Sequence, residues 1–598
     1  MNTAAYSETW DLDVFFSGGS HSSEFHEYLK QLSHSLATFK QEVDEWKPAS
    51  KIEDVQELAE LLAEIRENSQ HLRQAVAFVG CLQAQDVLDS HANELRGRVS
   101  VLSAEFNTTL SHFDEKLSNI EVDLWSDIME KEPFNAIQFV LNERRQKAKE
   151  KLSKEQEALI NALSVDGYHG WGEMYDALVS HVKIPFSDND EEKELSVGQA
   201  SNKFSHPNRK VRQEVFKSWE NAWDQQADLL AATLNHLSGF RLAVYKERKW
   251  DTDILKEALS YNRMEKETLD TMWKVISDLK EPFKAFLERK AKLLGVENLS
   301  WFDLDAPVGD ADHRYSFQEG AAFIIHHFRE FGDKLADFTE IAFEDRWIEA
   351  ADRPGKRPGG FCTSFPVSGQ SRIFMTYSGT PSNVSTLAHE LGHAFHSYAL
   401  KDVHALNRSY AMNVAETAST FAEMIVADAS LKSAKGKAER IHLLEDKIQR
   451  SVALLMNIHA RFLFETRFYE ERKKGVVSKE RLNSLMLEAQ KEAYGDSLEE
   501  YHPLFWASKL HFFITGTPFY NFPYTFGYLF SLGIYAKAMN EGKGFENQYM
   551  ALLRDTGSMK VEELALKHLN ADLTQRKFWE DGIKLCIEDV EEFLELTK

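Results

Sequence analysis

Residues Thr386 to His396 read TLAHELGHAFH, and at their centre His389-Glu390-Leu391-Gly392-His393 sets two histidines four positions apart. Leu387, Leu391, Ala394, Phe395 and Tyr398 form an apolar stripe at helical spacing. The stretch therefore reads as a helix, with Ser382 or Asn383 beside Pro381 able to cap its start. On such a helix His389 and His393 stand one turn apart on one face. Two imidazoles so placed can share one tetrahedral ion at roughly 2.0–2.1 Å each. Glu390 is offset from that pair and suits a water beside the ion, so five residues offer two ligands and a base. With 22 histidines in the chain the same five letters also arise by chance, and the surroundings must decide.

A catalytic zinc takes three protein ligands and keeps a fourth position open. The extended HExxHxxGxxH pattern fails, because the positions three and six after His393 are His396 and Ala399. A carboxylate on a second helix is the other solution. Asn413 to Ala429, NVAETASTFAEMIVADA, is helical in pattern, and its Glu416 lies 23 residues after His393. That leaves room to end one helix, turn through residues 401–409 and return antiparallel. Ser419, Thr420 and Glu423 share the face of Glu416 at i+3, i+4 and i+7, placed to orient the histidines. Glu423 is also the rival for third ligand. His396, one turn beyond His393, reads as a supporting or core histidine.

Around this motif the chain is poor in Pro (13) and Gly (29) and rich in helical periodicity. Val55–Asn68, Leu443–Lys474 and the C-terminal FWEDGIKLCIEDVEEFLEL are helical candidates. Ile184–Gly198 reads as a linker and its acidic Asp188–Glu194 as a solvated loop; Ala351–Gly360 is a Pro/Gly-dense loop. A division into an N-terminal helical region, 1–200, and a catalytic region, 201–598, follows. Only GFCTSFPVSGQSRIFMTYSG reads as β-structure, a hairpin about Ser368–Ser371 with Pro366 marking the first strand as an edge. The stretch Ile373–Tyr377 is expected as an exposed strand able to pair with an extended peptide.

The net charge is −25, from 70 Lys+Arg against 95 Asp+Glu, which disfavours binding to phosphate backbones. Cys81, Cys362 and Cys586 are few and scattered and suit a reducing compartment. MNTAAYSETWDLDVFF lacks the basic and apolar parts of a secretory signal. No run of 18 apolar residues occurs, and His511–Ala536 is broken by Pro518, Pro523 and polar residues. A cytoplasmic protein without nucleic-acid or membrane partners is expected.

HELGHAFH, then AETASTFAE, then a Tyr-rich stretch about a hundred residues on, resemble the thimet oligopeptidase superfamily, and within it the oligoendopeptidase F branch. PGKRPGGFCTSF, RIFMTYSGT, HFFITGTPFYNFPYTFGYLFS, FWEDGI and the Trp10-Asp11-Leu12 segment are similar as well. The resemblance implies a mostly α-helical ellipsoidal fold with a deep channel and a small β-element beside the HExxH helix. It implies one Zn2+ per chain on His389, His393 and Glu416, and Glu390 as the catalytic carboxylate. His511, Tyr520, Tyr524 and Tyr528 match the family's substrate- and oxyanion-binding wall. Gly359, Gly360, Phe374, Met375 and Tyr377 are expected to contact substrate. The implied activity is cleavage within short unstructured peptides, by a monomer or homodimer. A zinc carboxypeptidase of related helical fold and a non-catalytic peptide binder remain the alternatives, and the binder has no need of Glu390.

Overall fold

The computed structural model describes residues 5–188, 191–250, 252–309 and 314–598. It is mostly helical, as expected, with a small sheet. The pattern at Val55–Asn68 opens the helix Gln56–Gln85, which buries Leu58, Leu61, Leu62 and Ile65; each such side chain contributes about 1.5–3 kcal/mol of burial. The single helix expected over Leu443–Lys474 is two, Lys437–Val452 and Ile458–Arg472, joined by a π-helical segment Ala453–Asn457. The wider turn resets which side chains face the interior. FWEDGI lies in the helix Arg576–Leu596. No described helix is long and apolar enough to cross a membrane.

Two apolar clusters form. The smaller runs from Trp10 to Leu141 and the larger begins at Tyr175. Val182, Ile184 and Phe186 belong to the larger cluster. Ile184–Gly198 is not simply a loop: Ile184–Asp188 pairs antiparallel with Glu191–Leu195. Ile184 and Phe186 alternate inward, a two-residue period that marks a half-buried strand. Asn189 and Asp190 of the acidic stretch, and the first four residues of the chain, lie outside the described residues.

A three-stranded sheet forms the seam between the clusters. Gln370–Phe374 is its middle strand, parallel to Ile348–Glu349 and antiparallel to Phe361–Phe365. Phe365 and Phe374 enter the smaller cluster, whereas Ile373 and Met375 enter the larger. The Trp10-Asp11-Leu12 segment clamps this seam. The buried Arg372 guanidinium donates to the Asp11 carbonyl at 2.7 and 3.1 Å and stacks on Phe15. Pro366 directly follows the edge strand Phe361–Phe365, where a missing backbone donor costs no ladder bond.

The strand assignment corrects one expectation. The 370–377 segment has neighbours on both sides, with Ile373, Met375 and Tyr377 donating backbone bonds to Trp347, Glu349 and Ala350. Phe374, Met375 and Tyr377 are buried, and the Tyr377 hydroxyl donates to the Tyr315 carbonyl at 3.2 Å. Their side chains pack the seam instead of facing a substrate. The strands with a neighbour on one side only are the two-residue Ile348–Glu349 and the longer Phe361–Phe365.

Candidate metal centre

Helix Pro381–Ala399 carries HELGH. Its cap is Thr380, one residue before the sites expected: Thr380 Oγ1 accepts from the Asn383 amide at 3.1 Å and Asn383 reciprocates. Pro381 fills the first helical position, where its missing N–H has no partner to lose, so the cap must precede it. The returning segment is Met412–Ala415 and then the helix Thr417–Ser433, with Glu416 at the junction.

The two helices lie close because Gly392 has no side chain. A Cβ there would stand 2.4 Å from the Ala418 carbonyl oxygen and 2.6 Å from Ser419 Cα. Gly527 serves the same end from the helix Phe522–Glu541, where a Cβ would stand 2.9 Å from the Asn413 carbonyl oxygen and 3.1 Å from Glu416 Cβ.

The result is convergence. Glu416 Oε2 lies 3.3 Å from His389 Nε2 and 3.6 Å from His393 Nε2. A tetrahedral ion with bonds of about 2.0–2.1 Å spaces its ligands about 3.4 Å apart, so these residues fit one. Glu423, the rival ligand, instead meets the other nitrogen of His389, Nδ1, at 3.1 Å, and pairs with Arg450 through its second oxygen. Such a carboxylate fixes the ring and leaves Nε2 for a metal. Ser419 Oγ donates to Glu416 Oε2 at 2.8 Å. Thr420 is buried on the rim of the same cavity. His396 is fully buried away from the group, 2.9 Å from Thr556 Oγ1 and stacked on Tyr410 at 4.1 Å, so it serves the core. Burial tends to raise the Glu416 pKa, but bonding to His389, the charges of both histidines and Ser419 outweigh it and hold the carboxyl at about 2. Burial pushes His393 down to about 4, although Glu416 pulls it up. Anionic Glu416 and neutral His393 are the forms a metal requires. A second group, His326, His327 and Glu330, brings ligand atoms within 4.8 Å of one another on the partly exposed helix Phe317–Phe331, where His327 Nδ1 already meets Glu330 at 2.9 Å.

Glu390 is buried, with Oε2 lacking a hydrogen-bond partner. Burial pushes its pKa up to about 7, with the His389 charge opposing and the Glu416 charge adding. A Cβ on Gly360 would stand 3.4 Å from Glu390 Oε1, so the Gly359-Gly360 loop does border this carboxylate; Gly359 holds φ +93°, which favours glycine. A cavity of about 610 Å3 opens on His389, Glu390, Thr420 and Glu423.

The aromatic stretch gathers three of its rings. The ring of His511 lies 5.6 Å from that of Tyr520 and 6.4 Å from that of Tyr524, and the two tyrosines are 5.8 Å apart. Burial, Tyr520 and the Glu416 charge raise the Tyr524 phenol, so it remains a proton donor. Tyr528 departs from this group. Its buried hydroxyl lies 2.8 Å from Ser451 Oγ and 3.4 Å from Cys586 Sγ, and the residue lines the same cavity as His389 and Glu390. Arg450 was not legible in advance, since a lone arginine on a long helix carries no spacing signal.

A helical fold with two helix-borne histidines, a carboxylate from a crossing helix and a buried free glutamate defines a metallopeptidase. The family model described as "Peptidase family M3" matches residues 204–585, and that described as "Oligopeptidase F" matches residues 116–183. The chain belongs to peptidase family M3. It is 24% identical to Oligopeptidase PepF of Bacillus subtilis, over 98% of this chain and 87% of that protein. It is 22% identical to an Oligoendopeptidase F homolog of Lactococcus lactis, over 94% and 92%. Among solved structures, a peptidase of Chlamydophila abortus superposes with TM-score 0.84 at 19% identity, over 98% of each chain. Oligoendopeptidase-F of Enterococcus faecium superposes with TM-score 0.70 at 20% identity, over 96% of this chain and 98% of that one.

Proposed function

We propose that this metallopeptidase is a zinc oligoendopeptidase of short unstructured peptides, holding one zinc ion per chain on His389, His393 and Glu416. The observation that carries the reading is the convergence of those three ligands beside a buried glutamate with an unpartnered oxygen. A zinc ion held there supplies a Lewis acid that polarises the scissile carbonyl and acidifies water. Glu390 takes the proton of the attacking water and passes it to the leaving amine nitrogen. Tyr524, with Tyr520 and His511 beside it, donates hydrogen bonds to the oxyanion. Tyr528 Oη, held by Ser451 and Cys586, takes no part. The edge strand Phe361–Phe365 begins one residue from Gly360 and thus beside Glu390; an extended peptide paired to that edge brings its backbone past the carboxylate irrespective of its side chains.

Mass spectrometry of products from mixed peptides of about 5 to 30 residues tests the reading. Chelator-sensitive internal cuts confined to the shorter peptides are expected. Stepwise loss of C-terminal residues would replace the reading with a carboxypeptidase. Intact peptides beside a zinc-loaded protein would replace it with a binder.

The two tyrosines separate in kinetics. Tyr524→Phe is expected to lower kcat by about 10²–10³, the usual loss for one oxyanion donor. Tyr528→Phe is expected to leave kcat within about threefold, because the lost hydroxyl bonds only core groups. Equal losses in the two variants would remove the distinction.

A further inference from the structure

Near His511 stand two cations that nothing in the hydrolytic mechanism uses. The Arg461 guanidinium lies 5.3 Å and the Lys509 ammonium 5.0 Å from the centroid of one ring, that of Phe505. Among the described residues neither forms an ion pair with a carboxylate, and the acidic charge that bears on Lys509 is that of Asp305, although the chain carries a net charge of −25. Arg461 donates to Asn521 Oδ1 at 3.1 Å, and its Nε, out of contact with water, has no acceptor. Glu465, one turn further along the same helix, is buried with its Oε2 lacking a hydrogen-bond partner. Burial raises that carboxyl to about 8, with the Arg241 charge opposing. His511 Nδ1 is likewise without a partner.

The pair borders His511. Burial and then the charges of Arg461 and Lys509 push His511 down to about 4, so both cations bear on its ring. Tyr524 feels Glu416 on one hand and Arg461 on the other. Asp305, whose charge bears on Lys509, lines the same cavity as His389 and Glu390. Two half-buried cations at one ring have lost hydration, a cost that a bound anion would relieve. Guanidinium and ammonium groups with free donors bind carboxylates through charge-assisted hydrogen bonds.

We infer that Arg461 and Lys509, with His511 beside them, form a carboxylate subsite for the peptide substrate, taking either its C-terminal carboxylate or an Asp or Glu side chain at a fixed distance from the cut bond. The inference rests on the oligopeptidase reading and adds a charge preference that the backbone pairing alone does not give.

The experiment compares one good substrate peptide as free acid and as C-terminal amide, and with each Asp or Glu position replaced by Asn or Gln. If the terminal carboxylate is the ligand, amidation lowers kcat/KM by about ten- to a hundredfold. If a side chain is the ligand, the loss appears at one position relative to the cut and amidation changes nothing. In Lys509→Met and in Arg461→Gln the acid-to-amide or acid-to-amide-side-chain ratio falls towards one. Peptides cut equally whatever their carboxylates overturn the subsite while leaving the peptidase reading intact. Calorimetric Kd values of the same peptides for the Glu390→Gln protein give the ratio without turnover. A missing preference there overturns the subsite even if no peptide is cut, whereas absence of cutting by the wild type bears on the peptidase reading alone.

Discussion

Glu390→Gln is expected to lower kcat by about 10⁴ while the protein keeps its metal. General acid–base groups contribute about 10²–10⁴ each, and the upper end applies because one carboxylate handles both proton transfers. The exchange is nearly isosteric, so the Gly360 approach at 3.4 Å and the helix packing persist. The amide can neither take the water's proton nor hand one to the amine. None of the three converging ligand atoms belongs to Glu390, so metal content is unaffected. His389→Ala, by contrast, removes a ligand and loses both metal and activity. Steady-state kinetics with metal analysis of the purified variants decides. A Glu390→Gln protein retaining a tenth of wild-type kcat would sink the assignment of Glu390 as the base.

Gly392→Ala is expected to cost metal affinity by a hundredfold or so, although Gly392 touches no ligand atom. The new Cβ would meet backbone, at 2.4 Å from the Ala418 carbonyl oxygen and 2.6 Å from Ser419 Cα, and backbone cannot swing aside as a side chain can. The helices must part, at a cost of about 1–3 kcal/mol for overpacking. Glu416 moves with its helix and leaves the two histidines, and Ser419, its hydrogen-bond donor, moves too. Gly198→Ala is the control, since a Cβ there meets nothing within 4 Å. Competition titration with a chromogenic chelator reads the affinity, and circular dichroism reads the fold. Wild-type metal affinity in Gly392→Ala would show that the close crossing is not what sets the third ligand.

Local pattern and spacing were enough to place the HELGH helix, the amphipathic helices and the edge strand marked by Pro366. They act within a few turns of chain, where periodicity and proline geometry govern. The same local logic set His389, Glu390 and His393 on one helix, and the 23-residue return made Glu416 reachable. Choices between residues that share a face were not local. Glu416 and Glu423 sit on one helix side; the approach at Gly392 and Gly527 puts one at Nε2 of His389 and the other at Nδ1. Tyr524 and Tyr528, four residues apart, look alike in the chain, yet Ser451 and Cys586 from two other helices claim the second hydroxyl. The hairpin letters did not show that the second strand is covered, because that depends on Ile348–Glu349 adding to its far side. Sequence by itself determined the helical class and the metal-binding motif, because each is written in neighbouring residues. Tertiary structure alone decided which nitrogen of His389 Glu416 and Glu423 each meet, the partners of the Tyr528 hydroxyl, the covering of the second hairpin strand and the cations at Phe505, because each depends on contacts between segments far apart in the chain.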